Sequence, residues 1–205
     1  MTIYADKQQL RQKLRQMRKA LNPVSRMTAT KRVNRLLYPF IRRHKRIGAY
    51  WAMGSELSLL PLIVTAQHRG ATVYLPYIEN NKRQLWFSPC PYLASQRMTK
   101  RFLRQQNLYA HKRRIPQFSG DKIRAHKLNT LLIPLLGIDS QGHRLGQGGG
   151  YYDATLTTHH QVKPKLVGVG FSCQQVKNIA TEQHDINIPI FVSENGYQYF
   201  VNTDL

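Results

Sequence analysis

The sequence predicts an α/β fold, Rossmann-like: a mainly parallel open sheet with helices on both faces and a glycine-rich loop at the C-terminal end of one strand. Three observations predict it. Short apolar runs of strand composition alternate with segments of helical period, the pattern of βαβ units. Five of the 13 glycines fall between positions 142 and 150, just after one such run. No internal repeat or low-complexity linker divides the 205 residues, so residues 1–205 read as one α/β domain.

Each element follows from local pattern. Leu10, Leu14, Met17 and Leu21 recur at helical spacing behind Asp6, a candidate N-cap, so residues 7–21 read as an amphipathic helix that Asn22-Pro23 ends. Lys7, Arg11, Arg15 and Arg18 also fall at helical spacing, which runs a basic edge along the line where this helix meets its neighbour. A second helix is expected over residues 28–40 after a Ser25 cap. The period then changes: residues 47–51 read as a strand, 59–68 as a helix and 72–75 as a strand closed by Pro76, one βαβ unit. Residues 84–87 suggest an added strand, and 89–127 are polar, basic and read as irregular. A buried strand at 131–133, a helix at 152–159 and a strand at 165–171 make a second βαβ unit, with the glycine loop in its first turn. Residues 197–201 alternate like an edge strand.

Composition narrows the function classes. Lys plus Arg number 31 against 10 Asp plus Glu, a net charge of +21 that attracts polyanions of any kind. The apolar run at 131–138 stops well short of the roughly 20 residues a membrane span requires. The charged N-terminus has no apolar h-region, so no secretory signal is visible and a cytoplasmic location is expected. Cys90 and Cys173 form no C-x-x-C, which argues against a disulfide framework or a zinc site.

The segment from Pro134 to Asp153 carries the chemistry. A glycine-dense turn between a strand and a helix lets backbone N–H groups approach a phosphate closely. It is not a Walker A loop, since no G-x-x-x-x-G-K-[ST] fits, and the dinucleotide fingerprint G-x-G-x-x-G fails at Tyr151. No Ser-His or Cys-His nucleophile pair is evident. The alternative from another class is a basic nucleic-acid-binding protein, suggested by aromatics interleaved with cations at 82–87. The cations are spread without an arginine-rich tail, so no specific nucleic-acid partner is expected.

Arg144-Leu145-Gly146-Gln147-Gly148-Gly149-Gly150-Tyr151-Tyr152-Asp153, preceded by Asp139 and Gly142, resembles the signature of the 5-formyltetrahydrofolate cyclo-ligase (5,10-methenyltetrahydrofolate synthetase) family. Lys7 and Arg11 match that family's N-terminal K-x-x-x-R, residues 54–57 its glutamate-bearing turn, and His184-Asp185 its C-terminal acidic position. Two positions depart from the common pattern: Gly149 stands where many members carry lysine, and Ile188-Pro189 where an acidic residue often sits.

The resemblance implies ATP- and Mg²⁺-dependent conversion of 5-formyltetrahydrofolate to 5,10-methenyltetrahydrofolate with release of ADP and phosphate. The formyl oxygen is phosphorylated, N10 attacks the activated carbon, and phosphate departs. Such a transfer needs positioning and charge neutralisation more than a protein nucleophile. By the same resemblance Lys7 and Arg11 reach the nucleotide phosphates or the substrate. Arg144, Leu145, Gly146, Gln147, Gly148, Gly149, Gly150, Tyr151 and Tyr152 wrap the triphosphate, and Asp153 and Asp185 hold Mg²⁺. Glu56 grips the pterin and Trp51 packs on its ring, with Gly148, Gly149, Tyr151 and Tyr152 also on the substrate side and Tyr77 a weaker candidate. Arg144, Tyr152 and Asp153 form the implied catalytic set. The implied partner is a reduced folate, with or without a polyglutamate tail; neither a membrane nor a second subunit is expected, so the chain reads as a monomer. Without the resemblance, the basic helix edge reads as a solvated face and Trp51 as a core residue.

Overall fold

The computed structural model describes residues 3–79, 82–93, 118, 120–157, 164–182 and 185–200. Helices α1 (Ile3–Ala20) and α2 (Pro23–Leu36) precede β1 (Arg46–Gly48), α3 (Leu60–His68), β2 (Thr72–Ile78) and β3 (Leu85–Pro89). Then come β4 (Thr130–Pro134), the short strands β5 (Gly137–Ile138) and β6 (Arg144–Leu145), α4 (Tyr151–Leu156), β7 (Lys165–Val169), β8 (Ile190–Ser193) and β9 (Gly196–Tyr199).

Seven strands form one sheet in the order β3-β2-β1-β4-β7-β8-β9. The five central strands pair in parallel, and β3 and β9 close the two edges as antiparallel hairpin partners. From β1 the chain runs outward through α3 to β2, then returns to lay β4 on the other side of β1. The loops leaving the C-terminal ends of β1 and β4 therefore diverge at a topological switch point, where open α/β sheets offer a crevice. β5 and β6 form a separate two-stranded ladder, with Gly137 opposite Leu145 and Ile138 opposite Arg144, between β4 and the glycine loop.

β4 shows why the sheet is covered on both faces. Leu132 packs with Val33, Leu62, Ile63, Val73 and Val167, whereas its neighbours Leu131 and Ile133 pack with Phe87, Leu156 and Phe191. Alternate side chains of one strand thus enter two different cores, and a strand buried on both faces reads as a continuous apolar run.

Several boundaries differ from the expected ones. α1 starts at Ile3, so Asp6 sits in its first turn rather than capping it. α2 is capped by Asn22, whose side-chain oxygen accepts from Ser25 N at 2.8 Å, and Pro23 opens the helix. The same Asn-Pro pair that stops α1 therefore caps α2 three residues before Ser25. α2 ends at Leu36, and residues Tyr38–Phe40 form a separate 3₁₀ turn. Pro76 does not close β2: it lies opposite Phe87 in the antiparallel pair, beyond Tyr74, the last residue that β1 pairs. One side of β2 then has no ladder to feed, which is where a strand tolerates proline.

β8, the β5–β6 ladder and the 3₁₀ turn Ala125–Lys127 carry no strong local signal, being two to four residues long. The ends of the expected helix at 152–159 and strand at 197–201, and most of the irregular stretch at 89–127, lie outside the described residues. Among the described residues no helix is long and apolar enough to cross a membrane.

Candidate active site

The basic edge of α1 is engaged along its whole length. Lys7, only 6% exposed, donates to Asp185 Oδ2 at 2.6 Å and to Glu182 Oε2 at 2.8 Å. One turn on, Arg11 Nε donates to the Gly146 carbonyl at 3.1 Å. Arg15 follows, Nε to Gln147 Oε1 at 3.1 Å and Nη2 to the Gln147 carbonyl at 3.3 Å. Arg18, 4% exposed, ends the row with Nε on Ser55 Oγ at 3.0 Å. A single helix face therefore ties down the C-terminal segment, the glycine loop and the turn after β1. The solvated-face reading fails at Lys7 and Arg18, which are buried, whereas Arg15 makes its contacts at the exposed surface. Burial pulls the Lys7 ammonium down, but its hydrogen bonds to Asp185 and Glu182 outweigh that and hold its pKa above the ordinary value.

The glycine loop hangs from the β5–β6 ladder, which Asp139 locks. That carboxylate is 2% exposed and accepts from Gln141 N at 2.9 Å, His143 N at 3.0 Å and Ile179 N at 3.0 Å, with His143 Nδ1 at 2.9 Å. The ladder aims Arg144 inward: Nη2 donates to both Asp153 oxygens, at 2.7 and 2.8 Å, and the guanidinium lies 5.8 Å from the centre of the Tyr152 ring. Arg144 Nε is buried with no hydrogen-bond partner among the described residues. Gly148 and Gly150 take φ values of +104° and +65°, which other residues adopt only at a cost. α4 has only six residues and no side-chain cap, so the free N–H groups of the loop itself, more than a helix dipole, are its anion-binding asset.

Glu56 faces this loop from the turn after β1. Its Oε2 accepts from Met53 N at 2.9 Å and its Oε1 from Gln147 Nε2 at 3.2 Å. Burial raises the Glu56 pKa, and the Met53 amide, Arg18 and Gln147 oppose the rise. Tyr50 donates its hydroxyl to the Leu57 carbonyl at 2.7 Å. The phenols of Tyr50 and Tyr152 are both pushed up, first by burial and then by the Glu56 charge. Glu56, Tyr50, Tyr152 and Arg18 thus share one poorly hydrated environment. Arg26 fixes the turn by donating to the Ser55 carbonyl at 2.8 Å and to the Arg18 carbonyl.

The expected residues divide accordingly. Glu56, Gln147, Tyr152, Arg144, Asp153 and Arg11 gather around the loop, while Lys7 and Asp185 meet each other at the far end of the α1 edge. Two of the three cations expected at phosphate are held by carboxylates expected at metal, Arg144 by Asp153 and Lys7 by Asp185, while Arg11 is held by the Gly146 carbonyl. Among the described residues no group of three or more His, Cys, Asp and Glu side chains forms a metal cage. Leu145 is buried with Leu14, Leu136 and Ile179, anchoring the loop by packing. Trp51, 4% exposed, lies in the core cluster with its ring 6.3 Å from that of Phe118. Tyr77 sits opposite Trp86 on the β2–β3 hairpin with Lys122 Nζ 4.0 Å over its ring. His184 lies outside the described residues.

Arg15, Arg18 and Glu182 enter the site architecture without having been singled out as site residues. For the two arginines the signal was their register with Lys7 and Arg11; Glu182 had none. At the segment that suggested nucleic-acid binding, Trp86 has Arg124 3.6 Å over its ring and donates Nε1 to Glu79 Oε2 at 3.3 Å. A base-stacking platform needs open ring faces, whereas Arg124 covers one face of Trp86 and Phe87 is buried in the core.

The same site geometry sits in a chain with clear relatives. The 5-formyltetrahydrofolate cyclo-ligase of Escherichia coli K12 is 29% identical over 185 residues, covering 88% of this chain and 96% of its own. That of Haemophilus influenzae is 30% identical over 188 residues, covering 90% and 95%. Among solved structures, the 5,10-methenyltetrahydrofolate synthetase of Aquifex aeolicus superposes with a TM-score of 0.72 at 21% identity, covering 97% of this chain and 95% of that one. The family model described as the 5-formyltetrahydrofolate cyclo-ligase family matches residues 3–194, and with it the whole span from the α1 basic edge to the β8 strand. The chain belongs to the 5-formyltetrahydrofolate cyclo-ligase family.

Proposed function

We propose that this protein converts 5-formyltetrahydrofolate to 5,10-methenyltetrahydrofolate at the expense of MgATP. The observation that carries the reading is the meeting of Glu56 and the glycine loop through one hydrogen bond, Gln147 Nε2 to Glu56 Oε1, at the switch point of the sheet. A poorly hydrated carboxylate suits the planar N–H donors of a pterin, and a loop of free amides beside it suits phosphate. The two ligands of such a reaction would then lie side by side.

The side chains fit a magnesium nucleotide. Among the described residues Arg144 Nε is a buried donor without a partner, and its guanidinium is the planar fork that phosphate oxygens match. Asp153, beside the loop, is the carboxylate that would take part in holding Mg²⁺, which needs few protein ligands because it keeps waters and takes others from phosphate; Asp185 stays with Lys7 at the far end of the α1 edge. Bound at the loop, MgATP supplies the phosphoryl group that turns the formyl oxygen into a leaving group. The protein's part is positioning: Glu56 orients the pterin, Tyr152 and the buried wall keep water out, and Arg144 balances phosphate charge. The free chain keeps Arg144 paired with Asp153, so MgATP, carrying both signs of charge, can exchange partners with that pair.

The test is an absorbance assay for the methenyl product with purified protein, with and without ATP and Mg²⁺. Product that appears only when all components are present supports the reading. No methenyl product at any Mg²⁺ concentration refutes it.

A further inference from the structure

Gln147 is an exposed residue in the middle of the glycine loop, yet its side chain is fixed at both ends. Its Oε1 accepts from Arg15 Nε at 3.1 Å, while its Nε2 donates to Glu56 Oε1 at 3.2 Å. Arg15 also holds the backbone beside it, Nη2 to the Gln147 carbonyl at 3.3 Å. An amide has one acceptor end and one donor end. Because a guanidinium can only donate and an ionised carboxylate can only accept, the order Arg15–Gln147–Glu56 permits only one orientation of that amide. Glu56 has no other side-chain hydrogen-bond donor among the described residues; its second oxygen is held by the Met53 N–H of its own turn.

We infer that Gln147 is a positioning residue: clamped by Arg15, it sets the Glu56 carboxylate for the folate from its place in the glycine loop. The inference rests on the reading of Glu56 as the folate-binding carboxylate. Its physical content is that a carboxylate with one oxygen left free would rotate and hydrate, whereas one with an oxygen on Met53 N and the other on Gln147 presents fixed lone pairs. The groups that face Glu56 are Arg18 of α1, Tyr50 two residues past β1, the Met53 amide of its turn, Gln147 of the loop and Tyr152 of α4. Among them Gln147 is the side chain that links Glu56 to the glycine loop by a hydrogen bond.

The experiment uses full-length protein with the Glu56 carboxyl followed by carbon-13 NMR against pH, in the wild type, Gln147→Ala, Arg15→Ala and the double variant. Folate affinity is measured for each by calorimetry. Removing the Gln147 donor withdraws an interaction that favours the ionised form, so the Glu56 midpoint moves to higher pH and folate binding weakens by roughly three- to tenfold. Arg15→Ala moves the midpoint in the same direction by less, and adds little once Gln147 is gone. A Glu56 midpoint unchanged in Gln147→Ala overturns the inference, as does an Arg15 effect that persists undiminished in the double variant. A midpoint that moves while folate affinity holds also overturns the positioning role, whereas Glu56→Ala with unchanged folate affinity refutes Glu56 as the folate carboxylate, so the two readings fail separately.

Discussion

Lys7 in the first helix and Asp185, 178 positions later, form a 2.6 Å ion pair with a nearly fully buried ammonium. The pair closes the site at one end of the α1 basic edge and joins the N-terminal helix to the segment leading into β8. Removing one partner leaves the other charge poorly hydrated without compensation, so Lys7→Met is expected to cost about 1 to 3 kcal/mol. The half-exposed Glu182 adds little to that figure. Pairing raises the Lys7 pKa above 10.5, so its contribution is fully present below that pH and is lost as pH rises through the folded value. Urea unfolding of wild type and variant at pH 7 and in alkaline buffer checks both; equal stability at pH 7 refutes the pair's role.

Asp139 belongs to the loop motif yet acts on structure. Asp139→Ala leaves the N–H groups of Gln141, His143 and Ile179 without their acceptor, at an expected cost of about 3 to 5 kcal/mol. Chemical denaturation measures it. A loss below about 1 kcal/mol would mean that water replaces the carboxylate at the hairpin and that the ladder does not depend on it.

Glu56 is held ionised at a cost. Burial raises its folded pKa above 4.5, so the free protein is most favoured with Glu56 protonated, and that advantage is lost as pH rises through the folded value. Glu56→Gln is therefore expected to raise the Tm at pH 7, with the gain vanishing as pH falls toward 4.5. Thermal unfolding across that window checks it, and a variant less stable than wild type at pH 7 refutes it.

The two ends of the site should separate by mutation. Glu56→Ala removes a charge-assisted contact of roughly 1.5 to 3 kcal/mol and should weaken folate binding about ten- to a hundredfold while MgATP binding survives. Asp153→Asn should weaken MgATP with folate affinity nearly unchanged, because it alters both the metal end and the Arg144 guanidinium. Calorimetry on both folded variants measures both ligands. Equal loss of both ligands in both variants overturns the division and makes Glu56 a residue of the turn alone.

The alternation of short apolar runs with helical periods was enough to predict a parallel α/β sheet, because strand and helix periods are properties of neighbouring residues. The cluster of five glycines was visible in the same local way, but the β5–β6 ladder that separates it from β4 was not. The helix starts were misjudged by a few residues because Asn22 and Ser25 are both capable caps, and only the path of the chain chose Asn22. β8 stayed hidden because four residues have no period to detect; it exists because β7 on one side and β9 on the other offer it a ladder. The basic edge of α1 was visible as spacing, but its meaning was not: a row of cations at helical intervals is compatible with open water. Only the tertiary fold brought Asp185, the glycine loop and the turn at Ser55 to the same helix face. The contacts that make the site, Lys7 to Asp185, Arg15 to Gln147 and Gln147 to Glu56, join residues 91 to 178 positions apart. Hydrogen bonds and ion pairs depend on distance in space, and packing the sheet between its two cores is what sets that distance.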